Sequence, residues 1–236
     1  MNASIDKQVL RSARVAGLAY LIVIFAGLFA QLAVFQPLTH ASAVATAEAI
    51  ATNGGLWRLG IAINILGLIA NVPLGVILYG FFYRQRPTLA RCALAFILIC
   101  TAIEAGNLLL LYVPLAIGSE GEPLGAMAEW QALAYVAIRL HTTGLGLALL
   151  FFAGFCVLTG ILIFLSRIAP RALGVLMVLA GICYALNTLA MVVAPGLWSM
   201  ISPGVLVPCL VAEASLAVWL LVKGADAPTM GPDAKS

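Results

Sequence analysis

Six stretches of the chain are continuously apolar over about 20 residues, the length a helix rising 1.5 Å per residue needs to cross roughly 30 Å of hydrocarbon. They run from Val15 to Phe35, Leu59 to Tyr83, Cys92 to Ile117, Thr142 to Leu165, Leu173 to Ala194 and Val205 to Val222. The runs are unbroken rather than alternating with period two, and each is about twice the length of a barrel strand, so the pattern predicts helices and excludes a barrel. Between them stand Gln36-Pro37, Arg86-Pro87, Gly118 to Pro123, Ala169-Pro170, Pro195-Gly196 and Ser202-Pro203-Gly204, the kind of punctuation that ends helices. None of these separators is long enough for a domain of its own. The expected fold is therefore all-α, a polytopic six-helix transmembrane bundle, with a segment 1–14, one membrane domain 15–222 and a tail 223–236.

Composition supports the same class. Of 236 residues, 64% are hydrophobic and only 9% charged, against about 45 to 50% and about 25% in a soluble domain. The charges that remain are unevenly placed. Lys7, Arg11 and Arg14 precede the first run; Arg84, Arg86 and Arg91 fill the second connection; Arg167 and Arg171 fill the fourth; Lys223 and Lys235 follow the last. Ten of the twelve basic residues thus share one side, and the positive-inside rule puts both termini in the cytoplasm. Arg58 and Arg139 sit at the opposite rim with Glu48, Glu120, Glu122 and Glu129. Trp57, Trp130 and Trp198 fall at outer boundaries and Trp219 at the inner one, where an indole keeps its N–H wet and its ring in lipid.

The outer connections hold apolar pieces too short to span. Thr39 to Thr52 is Ala-rich and ends at Asn53-Gly54-Gly55, which reads as a short surface helix with a stop. Glu129 to Leu140 would carry the fourth helix beyond the membrane or bend it near His141. Ala41-Ser42-Ala43 after the first run imitates a signal-peptide cleavage site, but the run exceeds the usual 7 to 15 residues, so the first span is expected to stay.

Polar side chains inside the runs carry most of the functional weight, because lipid makes them costly. Glu104 in the third run and Glu213 in the sixth lie well away from both ends, and a central acidic charge costs roughly 2.5 to 3.5 kcal/mol on insertion scales. Both are expected to face inward. Asn107 follows Glu104 by one turn, Asn64 and Asn71 share a face of the second helix two turns apart, and Tyr184 and Asn187 are i, i+3 on the fifth. Together with the rim residues Arg58, Arg139 and His141 they suggest a pocket open to the outer face. The competing reading is that the amides are interhelical glue, worth about 0.6 kcal/mol per contact. Pro73, Pro114 and Pro208 interrupt spans and free backbone carbonyls, a weak pointer in the same direction.

Other chemistries find little purchase. A net charge of +3 is explained by the basic loops, which suit anionic headgroups rather than nucleic acid. The cysteines Cys92, Cys100, Cys156, Cys183 and Cys209 form no CxxC pair and are expected to be free, packed thiols. His40 and His141 are the only histidines, and no HxxxH, HExxH or CxxCH occurs, so no metal and no cofactor is expected. No GxSxG, phosphate loop or dinucleotide fingerprint is present.

The two three-helix halves also share spacings. Gly17-Leu18 with Phe25-Ala26-Gly27 matches Gly144-Leu145 with Phe152-Ala153-Gly154, and Glu104-Ala105-Gly106 resembles Glu213-Ala214-Ser215. An inverted 3+3 repeat would be a transporter trait, although a chain this rich in Gly, Ala and Leu also yields such matches by chance.

Several ordered pieces carry a family resemblance. They are Leu56-Trp57-Arg58-Leu59-Gly60, His141 with Gly144, Pro170-Arg171-Ala172-Leu173-Gly174, Ala180-Gly181 with Tyr184, and Glu213 followed by Leu216 to Gly224. In order and spacing they resemble the bacterial integral membrane proteins grouped as domain of unknown function 4386, over nearly the whole chain. The resemblance implies a six-helix protein of a bacterial inner membrane and brings no activity, substrate or site with it. Three roles stay open: binding, and transport or sensing, of a small amphipathic molecule; a non-catalytic accessory subunit with a membrane-protein partner; or an intramembrane enzyme using Glu104, Glu213 and His141.

Overall fold

The computed structural model describes residues 3–118 and 128–225; Glu120 and Glu122 of the third connection, and the tail with Lys235, lie outside the described residues. Six helices are long and apolar enough to cross a bilayer: Lys7–Leu38, Gly54–Phe82, Pro87–Ala116, Ala128–Ser166, Arg171–Val193 and Gly204–Val222. Each expected run falls within or closely overlaps one of them. Their outward faces carry large bare aliphatic groups, Val193 at 79% exposure and Leu109 at 68% among them, which in water would be untenable and in lipid is ordinary.

Every extensive contact between spans joins neighbours in the chain, and the sixth span closes onto the first, so the helices form a ring in sequence order. Small residues let the backbones approach, as helix association in lipid favours. A Cβ on Gly17 would stand 2.7 Å from the Ala217 carbonyl oxygen where the ring closes. Gly160 and Gly174 face each other across the fourth and fifth spans in the same way, each 2.5 to 2.7 Å from the other's carbonyl oxygen if a Cβ were added. Gly224, at φ 83°, ends the sixth span and packs on Leu10, so the two ends of the described chain meet on one face.

Two apolar cores fill the ring. The larger runs from Ala13, Ala16 and Tyr20 through Leu74, Ile97 and Phe155 to Leu216 and Leu220 and draws on all six spans. The smaller, toward the face away from the termini, gathers Val34, Phe35, Ile50, Trp57, Ile61, Leu111 and Ile138. Part of it is a short helix, Ala43–Thr52, capped by Ser42, whose hydroxyl accepts the Ala45 N–H at 3.1 Å. This is the expected surface helix, starting four residues later than its Ala-rich stretch. Asn53 ends it and at once begins the second span.

Prolines shape the helices less uniformly than their positions suggest. Pro73 and Pro208 sit inside unbroken helices. Ahead of Pro37 the first span widens to π geometry over Phe29–Phe35, and ahead of Pro114 the third tightens to 3-10 geometry over Leu108–Tyr112. In both cases a proline cannot donate to the preceding turn and its ring crowds the carbonyl there. Ser202-Pro203-Gly204, expected to end a helix, does not: the helix runs unbroken over Pro195–Val222. The break lies at Ala194, with Pro195 in the first turn, where its missing N–H is harmless. The fourth span is one continuous helix of 39 residues, about 58 Å long, well beyond the roughly 30 Å a bilayer core needs.

Trp57 is not the interfacial anchor its position suggests. It is fully buried, its indole N–H donates to the Leu111 carbonyl at 2.8 Å, and its ring meets Phe35 edge-on at 5.1 Å. The 3-10 turn supplies that acceptor, because carbonyls in a distorted turn are freed from the helix ladder. Trp130 is exposed, as an anchor should be. All five cysteines are free; Cys100, Cys156 and Cys209 are buried as expected, whereas Cys92 is exposed.

A buried carboxyl centre in the helix ring

The sixth span turns Glu213 into the ring, where 5% of it is exposed. The Tyr184 hydroxyl of the fifth span donates to Glu213 Oε1 at 2.5 Å, a short hydrogen bond of the kind charged or proton-sharing partners make. The Tyr20 hydroxyl of the first span is turned toward the same carboxyl without completing a hydrogen bond. Cys156 of the fourth span and Cys209 of the sixth lie near it, and Cys100 of the third lies near both Glu213 and Glu104. Phe152 closes the group, its ring edge-on to Tyr184 at 5.6 Å. No cationic side chain among the described residues acts on Glu213.

The other sequence-nominated residues are spread along the ring. Asn71 donates to Thr101 Oγ1 at 3.2 Å, joining the second and third spans, and its own carbonyl oxygen has no partner among protein groups. Asn107 donates to the His141 carbonyl at 2.8 Å, joining the third and fourth, and its amide fills the space that a side chain on Gly144 would need. His141 itself is buried beside Phe35, with ring centroids 5.9 Å apart, and its Nε2 is unpartnered by protein. Asn64 and Asn187 are buried, the latter with an unpartnered carbonyl oxygen. Arg58 and Arg139 are exposed and act on neither carboxyl.

Glu104 is half-buried, and no hydrogen-bond donor or charge among the described residues acts on it. No hydrogen bond joins Glu104, Glu213 and His141 to one another among the described residues: Glu213 belongs with the larger core, whereas His141 borders Phe35 of the smaller one. Grooves open on the surface of the described residues. One, of about 360 Å³, lies between the fourth and fifth spans, and one of about 270 Å³ between the first and second; neither is lined by a nominated residue. Among the described residues no group of three His, Cys, Asp or Glu is placed to hold a metal.

Sequence reasoning overlooked Tyr20, Thr101 and Thr188. Thr188 donates to the Gly146 carbonyl at 2.9 Å and ties the fifth span to the fourth. Tyr20 carried little signal: it stands five residues past Val15, close to the basic segment, where a tyrosine reads as an ordinary interfacial residue.

These features define an integral multipass membrane protein, a ring of six apolar helices around a buried, tyrosine-bound carboxyl. Residues 15–224 match the family model described as a domain of unknown function, DUF4386, and the chain belongs to that family. No curated protein and no solved structure matches it.

Proposed function

We propose that the protein binds a small amphipathic molecule within the ring, with Glu213 as its polar anchor, and moves or senses that molecule across a bacterial inner membrane. The observation that carries this reading is the Glu213 carboxyl, buried, held by Tyr184 at 2.5 Å and lacking any cationic partner among the described residues. A carboxyl so placed costs stability unless it holds a proton, a cation or a polar ligand group. Unpartnered polar atoms on Tyr20, Asn71, His141 and Asn187, from four different spans, support the same reading, since buried polar groups are ordinarily satisfied. Glu104, Asn107 and Asn64 would extend the site toward the outer rim of Arg58, Arg139 and His141, with both termini cytoplasmic.

The test is a melting-temperature screen of the purified protein against small amphipathic cations, zwitterions and neutral molecules, run in parallel on Glu213→Gln. A class that raises Tm in the wild type and not in Glu213→Gln supports the site. If no class raises Tm in either protein, the centre is helix glue, and the search turns to the accessory-subunit reading and a copurifying partner.

A further inference from the structure

The groove between the fourth and fifth spans has a different chemistry from the carboxyl centre and stands independently of it. Its wall is entirely apolar, formed by Gly160, Ile161, Phe164 and Leu165 on one side and Val175 and Val178 among others on the opposite one, around about 360 Å³. It exists because Gly160 and Gly174 bring the two backbones together at its floor, so the bulkier side chains beyond them stand apart as its rims. A volume of this size is at the lower end of what small-ligand sites offer, about 300 to 1,000 Å³.

Two arginines stand where the groove's two helices meet. Arg171 lies with its guanidinium 5.0 Å from the centre of the Phe164 ring, which is itself part of the wall. Such stacking uses the cation's flat face and leaves its edge donors free for an anion. Arg167 follows Leu165 by two residues and is exposed. It is also the one non-glycine among the described residues with a left-handed backbone, at φ 57°. That conformation ends the fourth span, and glycine would adopt it without penalty. An arginine standing where glycine would be unstrained points to a use for its side chain.

We infer that this groove is a binding site for an anionic phospholipid, with one acyl chain lying along Ile161, Phe164, Val175 and Val178 and the phosphate held between Arg167 and Arg171. The apolar wall fits a hydrocarbon chain and the arginine pair fits a negative headgroup, whereas a helix from a second copy would have no use for two positive charges at its end that no carboxylate among the described residues pairs.

The experiment is native mass spectrometry of the intact protein released from mild detergent after incubation with equal amounts of phosphatidylglycerol and phosphatidylcholine of the same chain length. The wild type should retain phosphatidylglycerol in preference by roughly thirtyfold, given two basic side chains at the headgroup level. Arg167→Gln combined with Arg171→Gln should bring the ratio close to one while some lipid of both kinds stays bound. Val175→Trp, which fills the groove, should lower both. Arg167→Gly is the folding control: it removes the backbone penalty, so melting temperature should hold or rise while the lipid ratio falls. Equal retention of the two lipids by the wild type, or an unchanged ratio in the arginine variants, would overturn the assignment. So would a Val175→Trp protein that changes from dimer to monomer with its lipid count intact, which would give the groove to a second copy.

Discussion

The third and sixth spans each carry one glutamate deep in an apolar helix, and the two side chains meet different fates. Glu213 is enclosed: Tyr184 binds it from the fifth span, Tyr20 approaches from the first, and little of it is exposed. Glu104 is half-buried with no donor beside it among the described residues, and two positions further on a side chain at Gly106 would meet nothing within 4 Å. What separates them is the neighbouring helices. The ring closes tightly around the sixth span, where Gly17 admits the Ala217 backbone, while the third span is thinly covered around Ala105 and Gly106, just before its 3-10 turn. In a membrane bundle the cost of a carboxyl is therefore decided by which hydroxyls the adjacent spans deliver, more than by depth along its own helix.

The largest test of that contrast is to remove each carboxyl in turn. Glu213→Ala leaves the Tyr184 hydroxyl buried without its acceptor and opens a cavity in the larger core. Each unsatisfied buried group costs about 1 to 3 kcal/mol and cavity formation adds to it, so a loss of roughly 3 kcal/mol is expected. Glu104→Ala, which orphans no partner, should stay within about 1 kcal/mol. Chemical unfolding of both variants in the same detergent measures the difference. Equal losses would show that the enclosure around Glu213 contributes nothing.

A smaller effect isolates the hydrogen bond itself. Tyr184→Phe keeps the ring against Phe152 and deletes only the donor to Glu213. Interhelical polar contacts in bilayers average about 0.6 kcal/mol and reach about 1.7; a short bond to a carboxyl belongs near the upper figure, so roughly 1.5 kcal/mol is expected. A value below the average would mean that the 2.5 Å contact is imposed by packing rather than favoured for itself.

The features readable from sequence were those written as runs. Six spans and their approximate limits follow from hydrophobic length, because the bilayer imposes one thickness on every helix, and the surface helix at Ala43–Thr52 from its Ala-rich stretch and the stop at Asn53-Gly54-Gly55. Glu213 and Tyr184 were nominated as costly polar residues, yet nothing along the chain says that they touch, since they are 29 positions apart on different helices. Trp57 shows the opposite failure. It stands at an interface by position, but the 3-10 turn before Pro114 offers it the Leu111 carbonyl and draws it inside. The helix extending from Pro195 through Pro203 was hidden for a similar reason: a proline breaks a helix or sits within it according to what the neighbours can satisfy.

The smallest effect is the most discriminating for the centre. The Tyr20 hydroxyl is fully buried and faces Glu213, yet it completes no hydrogen bond among the described residues. Tyr20→Phe removes a polar atom that has nothing to lose, since taking away an unsatisfied group is neutral or mildly favourable when the ring remains. A change within about 0.5 kcal/mol is expected for the free protein. The same substitution should matter once a ligand is present, because the hydroxyl is one of the few donors available to it at Glu213. Melting curves of Tyr20→Phe with and without the molecule that stabilises the wild type separate the two cases. A near-unchanged free protein with a reduced ligand shift makes Tyr20 part of a binding site, whereas a clear loss without ligand makes it a second structural partner of Glu213 and reduces the centre to helix packing.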